Sequence, residues 1–412
     1  MAFGFLLLYL IAVYLRPTEW VPGFMGWPLL SIALLVTAFL FCLRIALTKG
    51  SNLVRIPHNR MMVGFFLAMI LSHVAHGYMG GVTHVISIFL VNLIMYFLVV
   101  NVLNTPAKVK IAVWVIVALT AILAVQGIAQ AARGYGWAGQ GLTDGRITWI
   151  GIFDDPNDLA MAFVTMVPIL LAYILGPSFI GLKWLPLGLI GLLVYGTYLT
   201  NSRGGMLALV AAIGFFFIRR SKHRVLGGVL GGAAALLLFL FGPSRMASIS
   251  AAEESAAGRL DAWHYGFQLL KQNPVFGAGQ DMFTNDYPLT AHNSFVLAFA
   301  ELGLVGFFFW VALLYLAFKG LAVAQRNDGP LRPYTLGLQS ALVGFCAAAF
   351  FLSRTYIMLP YLLVALSAAM ANVVRKRTPE LAVAFTGRDA RNVAGICVGI
   401  LVLLQVAMRT CL

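Results

Sequence analysis

Residues 291–306 read Ala-His-Asn-Ser-Phe-Val-Leu-Ala-Phe-Ala-Glu-Leu-Gly-Leu-Val-Gly, and this stretch decides the fold that we predict. From Asn293 the chain stays apolar to Phe318, which is long enough for a helix that crosses a membrane. His292 stands directly before this predicted helix. Histidine titrates near neutral pH, and the positive end of a helix dipole favours its uncharged form. The pattern therefore indicates proton-transfer chemistry at a membrane surface.

The composition extends this prediction to the whole chain. Of the 412 residues, 61% are hydrophobic and 10% are charged, and the mean hydropathy is +0.91. One water-soluble core cannot bury so many apolar side chains, so we predict an all-α polytopic integral membrane protein. A transmembrane barrel is disfavoured because runs such as 225–241 do not alternate. The first apolar stretch, 3–15, lacks a preceding basic residue and a cleavage site, and we interpret it as a retained span.

About twelve to thirteen transmembrane helices are expected. A cytoplasmic N-terminus places most of the 28 basic residues in inner loops, as the positive-inside rule requires, so the net charge of +14 needs no nucleic-acid partner. We expect an N-terminal transmembrane bundle over 1–242, a small helical periplasmic lobe over 243–292 and C-terminal transmembrane helices over 293–412. The predicted spans are 3–15, 24–43, 61–77, 82–101, 111–132, 158–176, 184–200, 204–218, 225–242, 293–318, 335–352, 356–374 and 392–408.

Two arginines on the predicted outer side are candidates for binding an anionic substrate. Arg203 is followed by Gly204 and Gly205, which would let a backbone approach a phosphate closely, while the guanidinium could grip it as a fork. Alternatively, Arg203 is an interfacial arginine beside a tight turn. Arg259 follows Gly258 in the predicted lobe, where it could equally face water on a surface helix.

The segment 154–158 reads Asp-Asp-Pro-Asn-Asp, which offers three carboxylates that could bind a divalent metal. We favour helix capping, with Asp155 at the N-cap, Pro156 in the first helical position and Asp158 in the first turn. Capping leaves Asp154 without a role. We predict no metal site and no cofactor.

Three histidines and one glutamate outside these motifs each allow a functional or a structural interpretation. His73, His76 and His84 lie at the outer ends of adjacent predicted spans, but no Cys, Asp or Glu joins them, which disfavours a metal site. Glu301 falls nine residues into the predicted span, about 13 Å deep. It is a functional candidate, or else a structural partner of Arg354 or Arg203.

Four motifs in order resemble the Wzy_C superfamily of O-antigen ligases, O-antigen polymerases and protein O-oligosaccharyltransferases, and within it most resemble the ligases. They are Thr-Asn-Ser-Arg-Gly-Gly-Met-Leu at 200–207, Gly258-Arg259 with Trp263, Asn-Pro-Val-Phe-Gly-Ala-Gly at 273–279, and His292-Asn293 with Gly303 and Gly306. In the first half, the resemblance covers only the spans and the segment 153–160.

The resemblance implies a GT-C-like fold in the bacterial inner membrane with a periplasmic active site. The implied donor is an undecaprenyl-diphosphate-linked O-antigen and the implied acceptor is lipid A-core. His292 would be the general base, Arg203 and Arg259 would neutralise the diphosphate, and Asn293, Gly204, Gly205, Asp154 and Asn157 would complete substrate binding, with inversion and no metal. The alternatives are an O-antigen polymerase, a protein O-oligosaccharyltransferase, or a transporter that moves lipid-linked glycan.

Overall fold

The computed structural model is helical almost throughout, which confirms the all-α prediction. It describes residues 1–48, 53–176, 183–221, 254–327 and 329–410, together with Gly228 and Gly232. Apart from Gly228 and Gly232, the predicted span 225–242 and the first part of the predicted lobe lie outside the described residues. The helices are α1 Ala2–Leu15, α2 Pro17–Trp20, α3 Leu29–Leu47, α4 Pro57–Val74, α5 Met79–Val102, α6 Pro106–Arg133, α7 Pro156–Ile174, α8 Trp184–Leu199, α9 Arg203–Arg220, α10 Glu254–Gln272, α11 Ser294–Ala324, α12 Arg332–Ala349, α13 Met358–Arg377 and α14 Gly387–Thr410.

Seven of the described helices are long and apolar enough to cross a membrane: α3, α5, α6, α7, α11, α13 and α14. The helices α1 and α8 are apolar but shorter. The spans differ in how much of them is buried: 94% of the apolar stretch of α13 is buried, against 22% of that of α3 and of α14. Helix α13 therefore lies in the middle of the bundle, while α3 and α14 leave apolar side chains facing outward, as lipid contact requires.

The segments between helices gather at two ends of the bundle. One end, which we call the loop-rich end, carries segments 134–155 and 273–293; there Trp149 Nε1 donates to Tyr14 O at 2.8 Å. At the other end Arg375 Nη1 donates to Arg55 O at 3.0 Å. The helix α7 runs between the two and its 19 residues cover about 28 Å.

The apolar run 294–324 does not form one straight span, because the chain reverses at Gly303 (φ 61°, ψ −167°). The rings of Phe295 and Trp310 are 5.1 Å apart, whereas a straight helix would separate these residues by about 22 Å. The rings of Phe299 and Phe307 are also close, at 5.8 Å. Segment 294–302 therefore folds back against segment 304–324, which alone is long enough to cross a membrane.

This reversal corrects two of our predictions. The span predicted at 293–318 begins too early, and Glu301 lies at the tip of a helical hairpin and not about 13 Å along a spanning helix. Periodicity could not reveal the turn, because both arms of the hairpin are equally apolar.

The segment 273–279 braces the tip of this hairpin. The amides of Ala278 and Gly279 donate to Ala300 O and Glu301 O at 3.0 and 2.9 Å, and the amide of Leu304 donates to Pro274 O at 2.9 Å. Gly303 needs to be glycine, because its φ is positive and a Cβ there would clash with the backbone of Val275. The hairpin thus holds its first arm, and the residues before it, in a fixed place.

Candidate functional site

His292 is fixed by its neighbours on both sides. Ala291 O accepts a hydrogen bond from Trp263 Nε1 at 3.1 Å. Asn293 is the N-cap of α11, and its Oδ1 accepts from the amides of Phe295 and Val296 at 2.9 and 3.2 Å. The backbone of His292 itself is left-handed, with φ 48°. Non-glycine residues rarely adopt this conformation, and functional sites are where such residues cluster.

The surroundings of His292 favour its neutral form. Partial burial lowers its pKa below the ordinary 6.5, and the positive charges of Arg259 and Arg354 lower it further, while Asp155 opposes them. From the sequence we predicted a neutral imidazole on account of the helix dipole. The lowered pKa agrees with that prediction, but burial and the two arginines are its causes. An uncharged imidazole can accept a proton at neutral pH.

Arg354, which our site prediction did not include, connects three elements at this point. It lies between α12 and α13, and its amide donates to Ser294 Oγ at 2.8 Å. Its Nη2 donates to Asp155 Oδ2 at 2.8 Å and its Nε donates to Asp158 Oδ1. The proposed pairing of Glu301 with Arg354 is therefore wrong. The same argument that singled out Arg203, an arginine between two spans, could have found Arg354.

The carboxylates of 154–158 act as predicted in starting α7. Asp155 is the N-cap and its Oδ1 accepts from the amide of Asn157 at 2.7 Å, with Pro156 next in the helix. Asp155 and Asp158 additionally bind Arg354. Among the residues that the structure describes, no group of three His, Cys, Asp or Glu could hold a metal ion.

Asn157 links α7 to α9. Its Oδ1 accepts from Ser202 Oγ at 2.7 Å and from Arg146 Nη2 at 2.9 Å. The Nε of Arg146 donates to Thr200 O at 2.7 Å. In this structure the Asn157 side chain joins elements; whether it also contacts substrate stays a prediction.

Arg203 is the first residue of α9, directly after the N-cap Ser202, whose Oγ accepts from the amide of Gly205 at 3.0 Å. A Cβ on Gly205 would lie 2.7 Å from Ala160 Cβ, and one on Gly204 would lie 3.3 Å from Phe351 Cβ. Close packing of α9 therefore explains both glycines, and their predicted part in phosphate binding stays a prediction. The hydrogen bonds from Ser202 through Asn157 and Asp155 to Arg354 join the start of α9 to the surroundings of His292.

The site lies below the loop-rich end and not on its surface. Thr355 Oγ1 donates to Ser294 O at 2.8 Å, which fixes the α12–α13 connection beside the start of α11. In the same connection Tyr356 O accepts from Asn92 Nδ2 at 3.0 Å. Asn293, Ser294 and Thr355 are fully buried, whereas His292 and Arg354 are half-buried. The residues that hold His292 and Arg354 therefore belong to the packed interior of the bundle.

Glu301 and the three histidines lie elsewhere, near the hairpin tip. Glu301 Oε1 accepts from the amide of Phe283 at 3.0 Å. His76 Nε2 is 2.8 Å from Gly277 O, and His84 Nε2 is 2.9 Å from Asp281 Oδ2. These residues contact segment 277–283, and Glu301 also lies beside Tyr356 of the α12–α13 connection.

Comparison with known proteins bears on the same part of the chain. No curated protein gives a significant match. The model of the O-antigen ligase family (Wzy_C) matches residues 187–311, which include Arg203, Arg259 and His292. This similarity, over the segment that carries the candidate site, supports a place for the chain in the superfamily of O-antigen ligases and polymerases.

Proposed function

We propose that this chain is a WaaL-type O-antigen ligase of the bacterial inner membrane, which transfers O-antigen from undecaprenyl diphosphate to lipid A-core at the periplasmic face. The observation that carries the proposal is the half-buried His292, held in place through Trp263 and the Asn293 cap and with its pKa lowered by burial and by Arg259 and Arg354, within the segment that matches the O-antigen ligase family.

In the proposed reaction His292 accepts the proton of the acceptor hydroxyl as its oxygen attacks the anomeric carbon of the donor sugar. The bond from that carbon to the diphosphate oxygen breaks, and undecaprenyl diphosphate leaves with the bonding electron pair. Arg203 and Arg259 neutralise the charge that develops on the diphosphate. Attack on the side opposite to the leaving group inverts the configuration of the anomeric carbon.

Arg354 takes a different part in this proposal. Its guanidinium already binds Asp155 and Asp158, so we assign it to positioning and not to the diphosphate. Through its amide it holds Ser294, two residues after His292. Its charge also favours the neutral imidazole.

The position of the site suits two substrates that are both anchored in a membrane. A lipid carrier brings its diphosphate no further than the interface, so the reacting groups have to meet among the helices near that interface. A site set below the loop-rich end and flanked by apolar helices meets this requirement.

A deletion strain tests the proposal through its lipopolysaccharide profile. We expect lipid A-core without O-antigen, together with long lipid-linked chains that reach the periplasm. A product with a single repeat unit would instead mean a polymerase, and donor retained in the cytoplasm would mean a transporter. Normal lipopolysaccharide with a missing protein glycan would mean a protein O-oligosaccharyltransferase.

The part given to the arginines has its own test. Since guanidinium groups supply the positive charge, the purified protein should transfer glycan in EDTA. Transfer that depends fully on added divalent metal would overturn this part of the proposal.

A further inference from the structure

A pocket lies at the loop-rich end, where the end of α4 and the start of α5 face segment 280–285. Its volume is about 550 Å³, which is within the range of small-molecule sites. The side chains that line it include His73, Tyr78, Thr83, His84, Gln280 and Asp281. The proposed reaction does not use any of them.

The pocket is built on fixed elements. The amide of Gln280 donates to Ser72 Oγ of α4 at 3.3 Å, and Nε2 of His76, two residues after α4, lies 2.8 Å from Gly277 O. On the other side, Glu301 of the hairpin tip accepts from the amides of Gly279 and Phe283. The segment that forms one wall is thus held between α4 and α11.

Two deeply buried polar atoms of the wall have no hydrogen-bond partner among the described residues. They are Nε2 of His73, which is 1% exposed, and Oε1 of Gln280, which is 3% exposed. A buried polar atom without a partner is costly, on the order of 1–3 kcal/mol. Both atoms are closed off from the pocket surface, so the ligand class has to follow from the groups that face the pocket.

The charge of the lining decides which ligand class fits. Within the described lining there is no Lys or Arg, and Asp281 contributes a carboxylate beside His84. A diphosphate is therefore disfavoured. Hydroxyl, amide and imidazole groups beside the exposed ring of Tyr78 suit a sugar, which combines hydrogen-bonding edges with an apolar face.

We infer that this pocket is a carbohydrate subsite that binds a neutral sugar unit of a glycan substrate, apart from the unit that reacts at His292. The inference rests on the proposed function, because glycan transfer brings a chain of sugars to this end of the bundle. The segment 280–291 connects the pocket directly to His292. A glycan bound here would contact the protein at this pocket as well as at His292. Loss of the pocket contact should therefore weaken glycan binding and leave the rate of the chemical step unchanged.

Direct binding provides the test and does not require transfer. The probes are the neutral repeat oligosaccharide released by mild acid from the host's undecaprenyl-diphosphate-linked repeat units, and inorganic pyrophosphate as the charged comparison. Isothermal titration would compare wild type with Gln280→Met, which keeps the side-chain size but removes the amide, and with Tyr78→Ala. The matched control is Tyr135→Ala, another exposed tyrosine at the loop-rich end.

Losing one hydrogen bond of about 1 kcal/mol predicts an affinity about fivefold weaker for Gln280→Met. Tyr78→Ala should weaken binding at least as much, while Tyr135→Ala should leave it unchanged. His292→Ala should still bind the oligosaccharide, and pyrophosphate should not displace it. The inference is overturned if wild type does not bind the oligosaccharide, if Gln280→Met and Tyr78→Ala bind like wild type, or if pyrophosphate competes.

The proposed function can fail separately. If a wild-type protein that binds the oligosaccharide transfers no glycan, the ligase proposal fails and the pocket stands. If transfer occurs and Tyr78→Ala raises KM for the glycan with kcat unchanged, both stand.

Discussion

Replacing Arg354 by Met should destabilise the protein by about 3 kcal/mol, nearly all of it through Asp158. Removing one partner of a buried ion pair costs about 3–5 kcal/mol, because the other charge stays buried without compensation. The Asp158 side chain is 8% exposed and meets this description. Asp155 is 37% exposed, so water screens it and its share is below about 1 kcal/mol.

A double variant isolates the contribution of Asp158 to this loss of stability. Asp158→Asn removes the uncompensated charge, so Arg354→Met combined with Asp158→Asn should recover about 2 kcal/mol of the loss. Reversible unfolding in mixed detergent micelles, followed by tryptophan fluorescence, measures these free energies. Arg375→Met is the matched control, because the half-buried Arg375 binds only uncharged partners, Arg55 O and Asn372 Oδ1, and should cost about 1–2 kcal/mol. The reasoning is refuted if Arg354→Met costs no more than Arg375→Met, or if Asp158→Asn deepens the loss.

Three further changes test separate parts of the account. Gly303→Ala should destabilise the hairpin by more than about 3 kcal/mol, because φ is positive there and the new Cβ meets the backbone of Val275. Gly188→Ala, in open space within α8, should be neutral or slightly stabilising, and equal stabilities of the two variants would contradict the reversal. Because the pKa of His292 lies below 6.5 and the neutral ring is the base, the rate of transfer should fall only below that pH. Arg259→Ala removes a positive charge that lowers this pKa, so the acidic limb of the pH–rate profile should move to higher pH. An unmoved limb would contradict the influence of Arg259 on His292. Trp263→Phe, which removes the donor to Ala291 O, should cost about 1 kcal/mol in the same unfolding assay and lower kcat more than it raises KM; an unchanged kcat would show that this bond does not position His292.

Local chemistry in the sequence predicted much of what starts the helices. Asp155 and Pro156 identify the start of α7, because capping depends on neighbouring residues. The apolar runs likewise predicted an all-helical bundle. In both cases the information lies within a few residues, so tertiary contacts are not needed to read it.

The features that the sequence did not reveal depend on distant contacts. The reversal at Gly303 needs segment 273–279 against its backbone, and a glycine in an apolar run gives no sign of this. Arg354 meets Asp155 and Asp158 across nearly 200 residues of chain. The motif at 273–279 was visible, but its part in bracing the hairpin appears only when the fold brings it to residues 300–305.

Transfer by purified protein tests the central claim most directly. Wild type and His292→Ala, reconstituted in the same lipid vesicles, receive undecaprenyl-diphosphate-linked O-antigen and lipid A-core, and the ligated product is followed on gels. The account predicts that His292→Ala inserts and binds donor but forms no product above background, a loss of at least about a hundredfold. Near-normal transfer by this variant would contradict the assignment of His292 as the base.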